Sequence, residues 1–370
     1  MKRTMIALLT LLLPLFLFAE TDETQDAVDA LLDTIDLSEW DEWFRGNGVE
    51  TTALPSRLLK QLLEAQEPFD PDFSYQNLIS GLMPLFGSVL AKTALLLGLA
   101  AFGAAIRGVS DSSSIGETAE TAFRIGVSVA VLVLAMTEIR AAFSAIAAME
   151  KTVELLLPVI VGYLSMIGHT NTALLLPLSS ALLSGLVLRL IETVIAPAAI
   201  LGGTLLTLDA NGTGRLSSVG RLMQRAAKWI LATACSLYMV LTAIRSAAAK
   251  SADGLLLKTT KLAAGSIPAI GSLLSESVDT AYHCMQYVKN ALGLTGCVVL
   301  LAVALKPVVS TFLARSSLRA SAMLSEPLSG KPYAELLRGM GDTLHILMLC
   351  ELAALSMALM MLAPVLGTEA

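Results

Sequence analysis

The chain has little of what most enzymes build their sites from. Its three histidines, His169, His283 and His345, are scattered, and none falls in an HExxH pattern. There is no GxxxxGK[ST] loop and no GxGxxG after a strand-like run, so neither a phosphate cradle nor a dinucleotide fingerprint is written locally. The four cysteines, Cys235, Cys284, Cys297 and Cys350, show no CxxC or paired spacing and read as small buried hydrophobes rather than disulfide halves or metal ligands. Charge is scarce as well, at 15% of residues against 55% hydrophobic, too little for a soluble domain of average composition. The membrane class therefore comes first.

What charge there is lies unevenly. The net charge is −6, yet the interval 20–80 holds fifteen acidic residues against three basic ones, which leaves the rest of the chain net positive. Ahead of it, Lys2 and Arg3 precede an apolar run from Met5 to Phe18 and then Ala19, the pattern of a secretory signal peptide over 1–19 cleaved near Ala19. Leu17 is a poor residue for the −3 position, so an uncleaved anchor is the alternative. Within 20–80, an extracytoplasmic acidic segment, apolar residues recur at near-helical spacing and end in Trp40, Trp43 and Phe44. Those aromatics suit contact with a partner or the membrane interface, or closure of a small local helix pair.

Residues 81–370 read as an all-α polytopic membrane domain. Apolar runs at 82–106, 123–143, 155–167, 230–244, 292–313 and 344–366, with the long run 173–208 divided near Arg189, predict about seven to eight transmembrane helices, each near the roughly 20 residues a bilayer core requires. Cytoplasmic loops carry the excess of Lys and Arg. With the mature N terminus outside, an eight-span count places 107–124, 169–172, 209–228 and 315–338 inside. Two of these are plainly basic, with Arg215, Arg221, Arg225 and Lys228 in one and Arg315, Arg319, Lys331 and Arg338 in the other. The C terminus then also lies outside, and a seven-span count through Pro197 is disfavoured because it would put both basic loops out.

Before the penultimate span, 251–290 is too polar to cross, yet its apolar residues are dense around Gly265, Pro268 and Gly271. Two glycines about an Ile-Pro step can reverse the chain, and non-helical backbone at membrane depth is tolerated where protein buries it or water fills a cavity. The segment reads as a re-entrant loop of the kind that builds pores, as an amphipathic hairpin lying on the outer surface, or as a linker.

Charged groups inside apolar spans are functional suspects because each costs at least a few kcal/mol. Glu138 with Arg140, and Arg189 with Glu192, are close enough in sequence to snorkel toward a boundary. Lys92, Lys306 and Glu351 lie deeper, and Lys306 precedes Pro307. They are candidates for a polar translocation path, with structural ion pairing as the alternative. No Ser–His, Ser–Lys or paired-Asp set sits in the spans, so no catalytic, cofactor-binding or metal residue is named and no enzyme is expected. No internal repeat argues for a stand-alone secondary transporter.

The run KLAAGSIPAIGSLLSESVDT at 261–280, followed by KNALG at 289–293, resembles the stage III sporulation protein AE family of endospore-forming Firmicutes. The similarity is strongest over 258–306 and extends loosely from about residue 78 to the end; the acidic segment matches only in character. The resemblance implies a permease-like or channel-forming membrane subunit of the complex joining mother cell and engulfed forespore. Its implied partners are other stage III sporulation membrane proteins, including ring-forming components and an ATPase, and a forespore-made protein; its implied site is the mother-cell membrane around the forespore, with no nucleic acid and no cofactor. The Gly265–Gly271 motif and Asp279 are the positions carried over as matching the family's segment, and the match assigns them no role.

Overall fold

A computed structural model describes residues 41–42, 75–110, 114–166, 170–209, 215–265 and 271–366. The signal-like 1–19, nearly all of the acidic segment with Trp40, Trp43 and Phe44, and Pro268 lie outside the described residues. The described residues hold no strand. Seven α-helices follow one another: α1 Tyr75–Ser110, α2 Ser114–Met166, α3 Thr170–Leu190, α4 Ala196–Asp209, α5 Arg215–Gly265, α6 Gly271–Ser329 and α7 Lys331–Leu366. Among the described residues six helical stretches are long and apolar enough to cross a membrane, α3 and α4 counting as one.

Six is fewer than the apolar runs suggest, for two local reasons. Runs 123–143 and 155–167 both lie in α2, which continues through the polar interval between them. Alanines favour helix there, and Lys151 Nζ meets Glu154 Oε2 at 3.0 Å, an i,i+3 pair that supports the turn. The expected division near Arg189 is a second join. Residues Ile191–Ile195 form a π turn, in which the Ala196 N–H reaches back to the Ile191 carbonyl, and helix resumes directly as α4. Pro197 follows, and a widened turn accommodates a residue whose ring would clash with an ordinary helical repeat. From Thr170 to Asp209 the chain is thus helical without a break, about 60 Å measured along the helix.

The last helix is the axis of the bundle. Of the apolar window in α7, 56% is buried, against 17% in α1. Helix α7 packs on α2, α3, α4, α5 and α6, and Tyr333 Oη donates to the Leu96 carbonyl of α1 at 2.7 Å. Two clusters form the core, one around Leu96, Val131, Leu337 and Leu344, the other around Ile146, Ile191, Tyr238 and Met357. Outside it, large apolar side chains such as Leu90, Phe102, Leu182, Leu222 and Trp229 are exposed. A surface of that kind belongs against hydrocarbon, where helices satisfy their own backbone.

Small residues set how closely the helices meet. A β-carbon at Gly202 of α4 would fall 2.8 Å from the Gly220 carbonyl of α5, and one at Gly203 would fall 2.1 Å from Thr343 Oγ1 of α7. No larger residue fits either contact as it stands. Gln224 Nε2 then donates to the Gly339 carbonyl and to Thr343 Oγ1, both at 3.0 Å, locking α5 to α7.

Helices α5 and α6 run past their apolar windows, which end at Arg245 and begin at Gly293. Each extension, up to Gly265 and from Gly271, is about 30 Å of helix. The interval expected to be re-entrant or surface-lying is therefore helical on both sides of residues 266–270 and continuous with the spans. Asp279 belongs to the α6 backbone; its side chain lies outside the described residues.

A buried polar chain across four helices

Three helices bring charge to one level of α6. Lys92 of α1 makes an ion pair with Glu138 Oε1 of α2. The other oxygen, Glu138 Oε2, accepts from Ser310 Oγ of α6 at 3.3 Å. The next residue, Thr311, donates through Oγ1 to Glu351 Oε1 of α7 at 3.0 Å. Adjacent hydroxyls on one turn of α6 thus hold two carboxylates from two neighbouring helices, α2 and α7.

Burial makes these contacts matter. Glu351 is fully buried and Thr311 nearly so, while Glu138 keeps 7% exposure. Removing one partner of a buried ion pair costs about 3–5 kcal/mol, because the other charge is left uncompensated. Glu351 has no such partner among the described residues: its Oε2 is buried without a hydrogen bond. A buried acceptor left unmade costs on the order of 1–3 kcal/mol, more when charged. That unpartnered oxygen belongs to the same polar chain as the Lys92–Glu138 pair.

Of the three residues expected to line a polar path, the structure joins Lys92 and Glu351 through Glu138, Ser310 and Thr311. It does not bring Lys306 to them. Lys306 is exposed on α6, within a helix that continues through Pro307. The snorkelling expectation for Glu138 is corrected: its carboxylate is buried on Lys92, whereas Arg140 is exposed. Arg189 and Glu192 are exposed beside the π turn. Cys235 and Cys297 are half-buried free thiols and Cys350 is a buried one.

Comparison with known proteins gives a consistent frame. The family model described as Stage III sporulation protein AE matches residues 55–368, an interval that holds all six apolar helical stretches and every member of the polar chain. Stage III sporulation protein AE of Bacillus subtilis (strain 168) is 25% identical over 276 residues, covering 71% of this chain and 68% of that protein. No solved structure matches.

Proposed function

This chain belongs to the stage III sporulation protein AE family, and from that premise we propose that it is a non-enzymatic, permease-like membrane subunit of a channel or secretion-like complex linking mother cell and forespore. Its place is the mother-cell membrane around the forespore. Its partners are the other stage III membrane proteins, with ring-forming components and an ATPase that supplies energy, and through the complex a forespore-made protein. The observation that carries the channel reading is the chain Lys92–Glu138–Ser310/Thr311–Glu351, since polar groups buried in a membrane bundle mark ion and substrate pathways.

Orientation follows from charge. Merging two pairs of expected spans removes two crossings, and the two basic segments keep the side they had in an eight-span count. Residues 107–124, 209–228 and 315–338 then face the cytoplasm, both chain ends and residues 266–270 face the space between the two membranes, and only 167–169 changes side.

A scaffold that merely organises partners tolerates apolar residues in its core, whereas a polar path does not. Strains carrying Lys92→Leu with Glu138→Leu, or Glu351→Leu alone, test this by heat-resistant spore yield, scored beside membrane abundance and co-purification of the partner proteins. The channel reading expects spore yield to collapse while abundance and co-purification persist. Parental spore yield from both variants would leave the scaffold as the function.

A further inference from the structure

A second cluster of charge, apart from the polar chain, lies where α5, α6 and α7 meet. The glutamine contact to Gly339 and Thr343 fixes α5 on α7, and one turn further along α5 stands Lys228. On α6, Arg315 and Arg319 are four residues apart and so share a face; like charges at that spacing repel. On α7, Gly341 leaves room for them: a β-carbon there would sit 3.6 Å from Arg319 Cγ and 3.9 Å from the Arg315 carbonyl. His345 follows one turn later, and the charges of Arg315, Lys228, Arg319 and Asp342 all fall on it.

The cluster is short of negative charge. Among the described residues Asp342 is the only carboxylate acting on His345, and its Oδ1 is already held by Arg319 at 2.8 Å. Arg315 Nε and His345 Nδ1 are buried with no hydrogen-bond partner among the described residues. Two nitrogens that can donate, from two helices, thus lack an acceptor in a net positive setting. Arg315, Lys228 and His345 are only half-buried, so the cluster is open from the flank of the bundle. In sequence it lies where the apolar run of α6 gives out after Leu313 and that of α7 begins at Leu344, which on the orientation proposed above is the level of lipid headgroups on the cytoplasmic side.

We propose that Lys228, Arg315, Arg319 and His345 form a binding site for a phosphate-bearing anion at the cytoplasmic end of α5, α6 and α7. An arginine fork and a ring nitrogen suit phosphate oxygens, and basic pockets between transmembrane helices on this side take anionic headgroups. A phospholipid headgroup and a free phosphate share that chemistry.

The test uses the full-length protein purified in zwitterionic detergent, with binding read as the shift in thermal unfolding and as adducts retained in native mass spectrometry. The probes are phosphatidylglycerol, phosphatidylcholine and inorganic phosphate; the proteins are the parent, Arg315→Gln, Lys228→Gln and, as a control elsewhere, Arg338→Gln, whose arginine pairs with Glu326. Phosphatidylglycerol should stabilise the parent where phosphatidylcholine does not. Either cluster variant should weaken this about tenfold or more, as the loss of a charged hydrogen bond implies, and the control should not. Protection by inorganic phosphate with the same sensitivity identifies the free ion as the ligand; protection by the lipid alone identifies the headgroup. Equal binding of both lipids without any phosphate effect, or phosphatidylglycerol binding that Arg315→Gln and Lys228→Gln both leave intact, would overturn the site. Should Arg315→Gln fail to fold, Lys228→Gln decides by the same readings.

Discussion

At Glu138 a carboxylate inside an apolar helix is held by a lysine from one neighbour and a hydroxyl from another. Lys92→Met alone should destabilise the bundle by about 3–5 kcal/mol, since it strands that carboxylate, while Lys92→Met with Glu138→Met should recover most of the loss. Thermal unfolding of the single and double variants in detergent checks this; a double variant no better than the single would mean that the pair is not what holds α1 to α2. The suspects were legible as charges in apolar runs, but their partners were not. Residues two apart on a helix point about 200° apart, so Glu138 and Arg140 cannot share a face. That periodicity was the available signal that one faces in and one out. Ser310 and Thr311 carry no such mark, because a hydroxyl in an apolar helix usually bonds its own backbone.

Helix continuity, not helix existence, is what hydropathy hid. The apolar runs place each helix well, yet a run ends wherever exposed charges such as Glu150, Lys151 and Glu154 begin, while helical hydrogen bonds continue beneath them. Pro197 misleads in the same way, since a π turn carries the chain past it. Close approach was equally unreadable: Gly202 and Gly203 look like any glycines in a membrane helix until α5 and α7 are set against them. Gly202→Leu should cost at least about 1–3 kcal/mol by overpacking and loosen α4 from α5. Gly185→Leu, at a site where a β-carbon meets nothing within 4 Å, should be near neutral in the same unfolding assay. Equal effects at the two positions would contradict the packing described for α4.

Taken as a whole, the described residues form six long apolar helical stretches, five of them gathered about the sixth, α7, with basic segments at one end. Its membrane class, its helical nature and the resemblance carried by 261–280 all followed from the residues; how the apolar runs join did not, and the number of crossings depends on the two joins. Those joins also decide the account's central claim, and one interval separates the alternatives. With single cysteines at His169, Ser218 and Ser317 in a background lacking the native four, intact cells are labelled with a membrane-impermeant maleimide. Continuous α2 and continuous α3–α4 predict labelling at position 169 and none at 218 or 317. Protection at 169 together with 218 and 317 would restore eight crossings, and labelling at 218 and 317 would reverse the orientation on which the channel reading rests.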